Sequence, residues 1–170
     1  MEKPIASGGR GSTAGSSNDQ ASSRLELSAL QETPGFMIRI LQLQIFERFY
    51  PFFAELGMSP AEYAILLIVR DNATVTQSEL AALLRMQLPN LVKILSSMEK
   101  QGTIARKRST RDKRAVELSL TAAGLKRARE ANRLGDRFNA ETLAVLSKQE
   151  RVAFLEMLDR LAASQPAAST

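Results

Sequence analysis

Large apolar residues first recur at helical spacing in a run from about Gly35 to Leu56. Pro51 falls inside this run. It removes one backbone donor and disfavours the helical conformation at Tyr50, so we predict a kink or a break there. Gly57 suits the end of the turn that follows. The recurring positions of this run are Phe36, Ile40, Leu43, Phe46, Phe49, Tyr50 and Phe53.

Three further helices have start signals in the form of capping boxes. In each box a serine or threonine hydroxyl accepts from an early backbone N–H, while a glutamate three residues later accepts from the N–H of the cap residue. The boxes begin at Ser59, where Pro60 also suits the first helical position, at Thr76 and at Ser147. They predict helices over about 60–70, 77–84 and 148–163.

Two more helices flank a pair of short strands. One helix is predicted from about Leu88 to Gln101, and the other begins after Thr121 and continues toward Leu146, with Gly135 as a candidate bend. Between them, residues 103–107 and 115–120 predict two strands, the second with alternating apolar and polar positions. Residues 109–113 form the tip of the resulting hairpin. The predicted fold class is mostly α with a small β-hairpin (α+β).

The net charge of +5 is concentrated in this hairpin. Residues 100–114 hold seven of the 23 basic residues and one of the 18 acidic residues, which gives the segment +6 and leaves 16 basic and 17 acidic residues elsewhere. Like charges this close repel one another, so a localised positive patch on a nearly neutral body indicates an anionic polymer as partner, nucleic acid first.

Composition excludes several other classes of function. The chain has no cysteine and no histidine, which excludes disulfides, thiolate metal sites and thiol redox sensing, and removes the commonest general base. It has no Gly-rich phosphate loop and no carboxylate pair at a useful spacing, so we do not expect an enzyme, a metal site or a cofactor. No apolar run reaches the roughly 18 residues of a membrane span, and the N-terminus lacks a signal-peptide core. We therefore expect a cytoplasmic protein.

The helices over 77–84 and 88–101 are separated by only Arg85, Met86 and Gln87. This is the spacing of a helix-turn-helix, whose second helix enters the DNA major groove by its N-terminal residues. Its apolar face would be Leu91, Ile94, Leu95 and Met98. The predicted DNA-binding residues of the helix-turn-helix are Gln77, Ser78, Gln87, Pro89, Asn90 and Lys93.

A basic hairpin directly after such a helix is typical of a wing, which places its tip against the DNA backbone or the minor groove. We use "wing" for residues 103–120. Asp112 lies among the cations and is expected to orient Arg114 or another arginine. The predicted DNA-binding residues of the wing are Arg106, Lys107, Arg108, Arg111, Lys113 and Arg114.

The segments TQSELAALL and LVKILSSMEKQGTIARKRSTRDKRAVELSLTAAG resemble the MarR family of winged-helix transcription regulators. The most recognisable signature is Asp112 and Arg114, then Leu120 and Thr121, then Gly124. The resemblance covers about residues 36–163. It departs at the recognition helix, which begins Gln-Leu-Pro-Asn where relatives usually show an acidic or small polar cap followed by Ser or Thr.

The resemblance implies a winged helix-turn-helix with N- and C-terminal dimerisation helices, a homodimer, and a palindromic operator in double-stranded DNA. The expected organisation is a disordered tail over 1–24, an N-terminal dimerisation and pocket region over 25–58, a DNA-binding lobe over 59–121, C-terminal dimerisation helices over 122–163 and a flexible tail over 164–170. Family members usually repress until a small molecule releases them. The cysteine-dependent oxidant sensors of the family are excluded.

Seven of the nine aromatic residues lie between Phe36 and Tyr63, in the segment that would line the family's effector pocket. An arginine among aromatics can anchor a carboxylate or phosphate. The candidate effector is therefore an aromatic carboxylate, a phenol or a CoA thioester, although such a stripe is also typical of a core or dimer interface. The candidate residues are Phe36, Arg39, Ile40, Leu43, Phe46, Phe49, Tyr50 and Tyr63.

One alternative is a winged-helix module that binds DNA constitutively without an effector. Another is a module whose wing binds a protein or RNA. The polar face of the recognition helix favours DNA.

Overall fold

The structure, a computed structural model, describes residues 28–72, 74–110 and 112–164. The tail predicted over 1–24, all of the tail predicted over 164–170 except Ser164, and the wing residue Arg111 lie outside the described residues. The chain divides into two compact units, one ending at Gln42 and the other beginning at Leu43. Within the described ranges, no helix is long and apolar enough to span a membrane.

Seven α-helices and a short 3₁₀ turn occupy most of the described residues. The first helices are α1 (Ser28–Gln31) and α2 (Pro34–Phe52), followed by the turn Ala54–Leu56; then come α3 (Pro60–Asp71), α4 (Gln77–Leu83), α5 (Leu88–Lys100), α6 (Ala122–Thr142) and α7 (Lys148–Ser164). The break predicted at Pro51 falls immediately after it, since α2 ends at Phe52. The long helix continues through Gly135 but ends at Thr142, four residues before the predicted Leu146.

All three predicted capping boxes are present. The hydroxyls of Ser59, Thr76 and Ser147 each accept from the backbone N–H three residues later, and the glutamate at that position accepts from the N–H of the cap. Two hydrogen bonds per box satisfy donors that a helix start otherwise leaves unpaired.

The sheet has three strands rather than the two predicted. Strands β1 (Val75–Thr76), β2 (Ile104–Arg108) and β3 (Val116–Leu120) are antiparallel in the order β1-β3-β2. The prediction missed β1 because two residues are too few to show an alternating pattern. Pairing of Val75 with Leu118 ties the wing to the strand directly before α4.

The core of the second unit is built around an aromatic cluster and the buried faces of α3 and α6. The rings of Phe49 and Phe53 stack with centroids 4.0 Å apart, and Phe138 of α6 meets both edge-on. Ile65, on α3, and Ala131, on α6, are fully buried. The helix-turn-helix and the wing therefore pack against a core formed by these helices.

Glycine lets α6 approach α3 and the end of α5 closely. A Cβ on Gly124 would lie 1.8 Å from the carbonyl oxygen of Thr103, and one on Gly135 would lie 2.0 Å from the hydroxyl of Tyr63. The Thr121 hydroxyl donates to the carbonyl of Gly102 at 2.6 Å and accepts from the N–H of Gly124 at 3.0 Å. Thr121 and Gly124 therefore hold the start of α6 close to the end of α5 by hydrogen bonding and close packing.

Candidate nucleic-acid interface

Helices α4 and α5 form the predicted helix-turn-helix. Leu80 and Ala81 of α4 are buried, as are Leu91, Leu95 and Met98 of α5. Ile94, the fourth member of the predicted apolar face, packs against this core from a partly buried position. The α5 helix therefore faces the core with one side and solvent with the other.

The N-terminal turn of α5 presents polar side chains to solvent. Gln87 is the N-cap, yet within the described chain its side chain makes no capping hydrogen bond. Pro89 occupies a position in the first turn that proline tolerates, because the first N–H groups of a helix have no partner within the helix. The exposed residues of this end are Gln87, Pro89, Asn90 and Lys93, all four predicted from sequence.

The start of α4 contributes less open surface. Ser78 is exposed, whereas Gln77 is partly buried. Ser78 and Arg114 both line an open cavity of about 480 Å³ between the start of α4 and the wing. The tertiary structure thus brings together two predicted DNA-binding residues that lie 36 positions apart in the chain.

The wing carries a cluster of exposed cations, and hydrogen bonds within the chain hold its tip. Lys107, Arg108, Lys113 and Arg114 are all exposed. The Asp112 carboxylate accepts from the backbone N–H of Arg114 at 2.9 Å, and the Asp112 carbonyl accepts from the N–H of Ala115 at the same distance. The contact of the Asp112 carboxylate is therefore with the backbone of Arg114, and the expectation that Asp112 orients Arg114 or another arginine stays a prediction.

Arg106 has a structural partner. Its guanidinium donates to the carboxylate of Glu99 on α5, with Nε 2.9 Å from Oε2, and it also forms an ion pair through Nη2. Hydrogen bonds from Arg106 hold the pKa of Glu99 below its usual range. Arg106 consequently links the wing to α5, and its assignment to DNA binding stays a prediction. Sequence reasoning missed Glu99 because no local pattern indicates a pair between a helix and a later strand.

Leu88 is another feature of this surface that the pattern did not single out. It opens α5 and is 42% exposed. An apolar side chain at this point can contact the methyl group of thymine in the major groove. The helical spacing of Leu88 to Leu91 and Leu95 predicts a core position, so no pattern in the sequence indicated its exposure.

An apolar cavity of about 410 Å³ lies beside the helix-turn-helix. Two predicted effector residues, Phe46 and Tyr50, line it, and Leu84 and Met86 from the end of α4 and the following turn complete one wall. The remaining lining residues are Ser59, Pro60, Ala61 and Ala64. The cavity thus touches both the aromatic segment and the element that leads into the recognition helix.

The other predicted effector residues have different surroundings. Phe49 is buried in the aromatic cluster, and Tyr63 meets Phe49 and Phe53 edge-on, so neither lines this cavity. Burial, and then the charge of Asp136, raises the pKa of the Tyr63 hydroxyl. Leu43 is exposed. The last three, Phe36, Arg39 and Ile40, belong to the unit that ends at Gln42, and their assignment stays a prediction.

Comparison with known proteins gives a consistent result. The MarR family model matches residues 58–116. The putative transcriptional regulatory protein for the hcr operon of Thauera aromatica is 28% identical over 128 residues, which cover 75% of this chain and 77% of that protein.

Two solved structures of the transcriptional repressor CouR are also similar. CouR bound to a 23-mer DNA duplex is 31% identical, with a TM-score of 0.76 over 82% of this chain and 99% of that chain. CouR bound to p-coumaroyl-CoA is 29% identical, with a TM-score of 0.74 over 84% of this chain and 100% of that chain. These relatives are regulators rather than enzymes. The chain described here belongs to the MarR family of winged-helix transcriptional regulators.

Proposed function

We propose that this regulator binds a palindromic operator in double-stranded DNA as a homodimer and represses transcription until a small aromatic ligand releases it. The observation that carries the DNA-binding part is the exposed polar start of α5 beside a wing whose described residues include four exposed cations. A major-groove helix and an adjacent basic element are the two parts that a winged helix uses on DNA. A CouR chain of 31% identity is bound to a DNA duplex, which supports this proposal.

The two elements have separate roles in this proposal. The amide groups of Gln87 and Asn90 can pair bidentately with adenine, and Lys93 can contact guanine or phosphate. Lys107, Arg108, Lys113 and Arg114 neutralise phosphates or enter the minor groove, which supplies affinity without reading individual bases.

Exposed apolar side chains on α7 support a homodimer. Val152, Leu155, Met157 and Leu161 each have about half of their surface exposed, and Val145 just before the helix is 91% exposed. Large apolar groups concentrated on one helix in this way usually mark an interaction surface. A second copy of the chain would cover them and place two recognition helices on two half-sites.

The apolar cavity supports the effector part. Its volume of about 410 Å³ lies within the range of small-molecule sites. Phe46 and Tyr50 offer aromatic surface and one hydroxyl, which suit a phenolic or cinnamic ring, and the aromatic acyl group of a CoA thioester can carry such a ring. CouR, 29% identical, binds p-coumaroyl-CoA, so aromatic acids and their CoA thioesters are the first candidates. Because Leu84 and Met86 form part of the wall, a bound ring would press on the turn that leads into α5.

The test is fluorescence anisotropy on DNA from upstream of the protein's own gene, against a scrambled duplex, with titration of p-coumaroyl-CoA and free p-coumarate. We expect tighter binding to the upstream duplex and release by one of the two compounds. Salt-sensitive binding that is equal on both duplexes would refute operator reading. Specific binding that neither compound reverses would instead support a constitutive winged-helix module.

A cavity variant tests the site of release. Phe46→Ala removes one wall, and because Phe46 is 37% exposed the substitution leaves the buried core intact. We expect the ligand concentration that releases DNA to rise at least several-fold while DNA affinity is kept. Leu125→Ala, which changes an exposed leucine away from the cavity, is the matched control. Equal responses of the two variants would place the ligand elsewhere.

A further inference from the structure

The turn between α4 and α5 contains the one non-glycine residue with positive φ in the described ranges. Arg85 has φ of +52°. Its N–H donates to the carbonyl of Ala82 at 3.2 Å, and the N–H of Met86 donates to the carbonyl of Ala81 at 2.9 Å. These two bonds define a Schellman motif, in which the residue after the C-cap takes the left-handed conformation and is usually glycine.

The same motif occurs 17 residues later with the usual residue. At the end of α5, Gly102 has φ of +70°, its N–H donates to the carbonyl of Glu99, and the N–H of Thr103 donates to the carbonyl of Met98. Left-handed backbone is unfavourable for a side chain with a Cβ atom, and only Asn, Asp and His are much enriched there. An arginine at the first site is therefore a cost to folding that glycine would avoid.

The Arg85 side chain does not offset this cost within the described protein. It is exposed, and its guanidinium makes no hydrogen bond or ion pair to the residues that the structure describes. Other arginines of the fold do have such partners. Arg106 pairs with Glu99, and the guanidinium of Arg127 donates to the carbonyl of Leu56.

Its position points to a partner outside the protein. Leu84 and Met86, on either side of Arg85, line the apolar cavity, which leaves Arg85 on the solvent side of the turn. Arg85 precedes Leu88, the first residue of α5, by three positions, so their Cα atoms are at most about 11 Å apart. An arginine side chain there can reach the phosphates that border a groove occupied by the start of α5.

We propose that Arg85 binds a DNA phosphate next to the recognition helix, and that this contact is what the arginine contributes in a position suited to glycine. The inference rests on the proposed DNA-binding function. Arg85 would add to the four exposed cations of the described wing and to Lys93 of α5. It precedes α5 in sequence, whereas the wing follows α5.

The experiment compares Arg85→Gly, Arg85→Lys and the control Arg133→Gln, which removes an exposed arginine from the middle of α6. Binding of each to the upstream duplex is measured from 50 to 300 mM salt, and stability is measured by urea denaturation. For Arg85→Gly we expect equal or greater stability, since glycine removes the backbone strain. The salt slope is the steepness with which the logarithm of the binding constant falls with the logarithm of the salt concentration. We expect it to fall by about one per DNA-bound lobe, as for one lost phosphate contact. The affinity should fall about eightfold per lobe at 0.1 M salt.

The two other variants separate charge from backbone effects. Arg85→Lys keeps the charge, so most of the affinity and slope should remain, and Arg133→Gln should match the wild type. An unchanged salt slope for Arg85→Gly would overturn the inference, whether or not the affinity falls. A loss of affinity without a change in slope would come from the altered backbone of the turn and not from a lost phosphate contact. Failure of the wild type to bind any duplex would overturn the proposed function as well.

Discussion

Gly124→Ala is a sharp test of the packing between α6 and the end of α5. The new Cβ would lie 1.8 Å from the carbonyl oxygen of Thr103 and 2.8 Å from its carbonyl carbon. These are backbone atoms, and the N–H of Thr103 is itself bonded to the carbonyl of Met98 at 3.0 Å. No side-chain rotation can relieve the contact.

The size of the effect follows from what has to move. Ordinary contact begins at 3.4 Å, so the atoms must separate by 1.6 Å, the difference between 3.4 and 1.8 Å. That shift breaks the bonds from the Thr121 hydroxyl to the carbonyl of Gly102 and from the Thr121 N–H to the carbonyl of Thr103. Two hydrogen bonds contribute about 2 kcal/mol, and overpacking costs about 1–3 kcal/mol. The higher helix propensity of alanine offsets about 1 kcal/mol of this cost. The expected net destabilisation is therefore about 2–4 kcal/mol.

Urea denaturation followed by circular dichroism, at one fixed protein concentration, measures this free energy of unfolding. The control is Gly35→Ala, also in the first turn of a helix, where no heavy atom lies within 4 Å of the new Cβ. Its stability should stay the same or rise by up to about 1 kcal/mol. Propensity alone predicts that both substitutions stabilise, so a Gly124→Ala variant as stable as the wild type would refute the packing argument.

Three further predictions concern the DNA surface and the helix caps. Arg108→Ala should weaken binding to all duplexes and lower the salt slope by about one per lobe; an unchanged slope would exclude a phosphate contact. Asn90→Ala should cost about 1–3 kcal/mol at one operator position only, and equal losses on operator and scrambled duplexes would argue against base reading. The N–H and then the hydroxyl of Thr76 lower the pKa of Glu79 below its ordinary 4.5. The stability from this charge is therefore present above pH 4.5 and is lost as the pH falls toward the lowered value. Glu79→Gln should lose less stability than the wild type between pH 5 and 3, and parallel curves for the two proteins would contradict this assignment.

The wing shows how far local reasoning extends toward a site. The alternation of Val116, Leu118 and Leu120 predicted its second strand, and the count of cations predicted its charge. Neither revealed that Arg106 pairs with Glu99 while Arg108 stays exposed. Arg106 and Arg108 are two positions apart and therefore point to the same face of the strand, so the strand pattern cannot separate them. Which of them meets Glu99 on α5 depends on how the hairpin packs.

The aromatic segment shows the same limit more strongly. Its helical spacing predicted a helix, and α2 confirms one, but spacing cannot separate a ring in the core from a ring that lines a cavity. Packing put Phe49 into a stack with Phe53 and left Phe46 and Tyr50 beside the cavity. Only the tertiary structure therefore shows which of the eight effector candidates belong to the core.

By itself, the sequence determined where helices begin, how the charge is distributed and that a helix-turn-helix precedes a basic hairpin. Capping boxes such as that of Thr76 and Glu79 are bonds between residues three apart, so their chemistry is local and readable in order along the chain. Only the tertiary structure decided the third strand, the contact of Gly124 with Thr103 and the strained turn at Arg85. Each of these depends on backbone geometry or on residues far apart in sequence, which approach one another only when the core is packed.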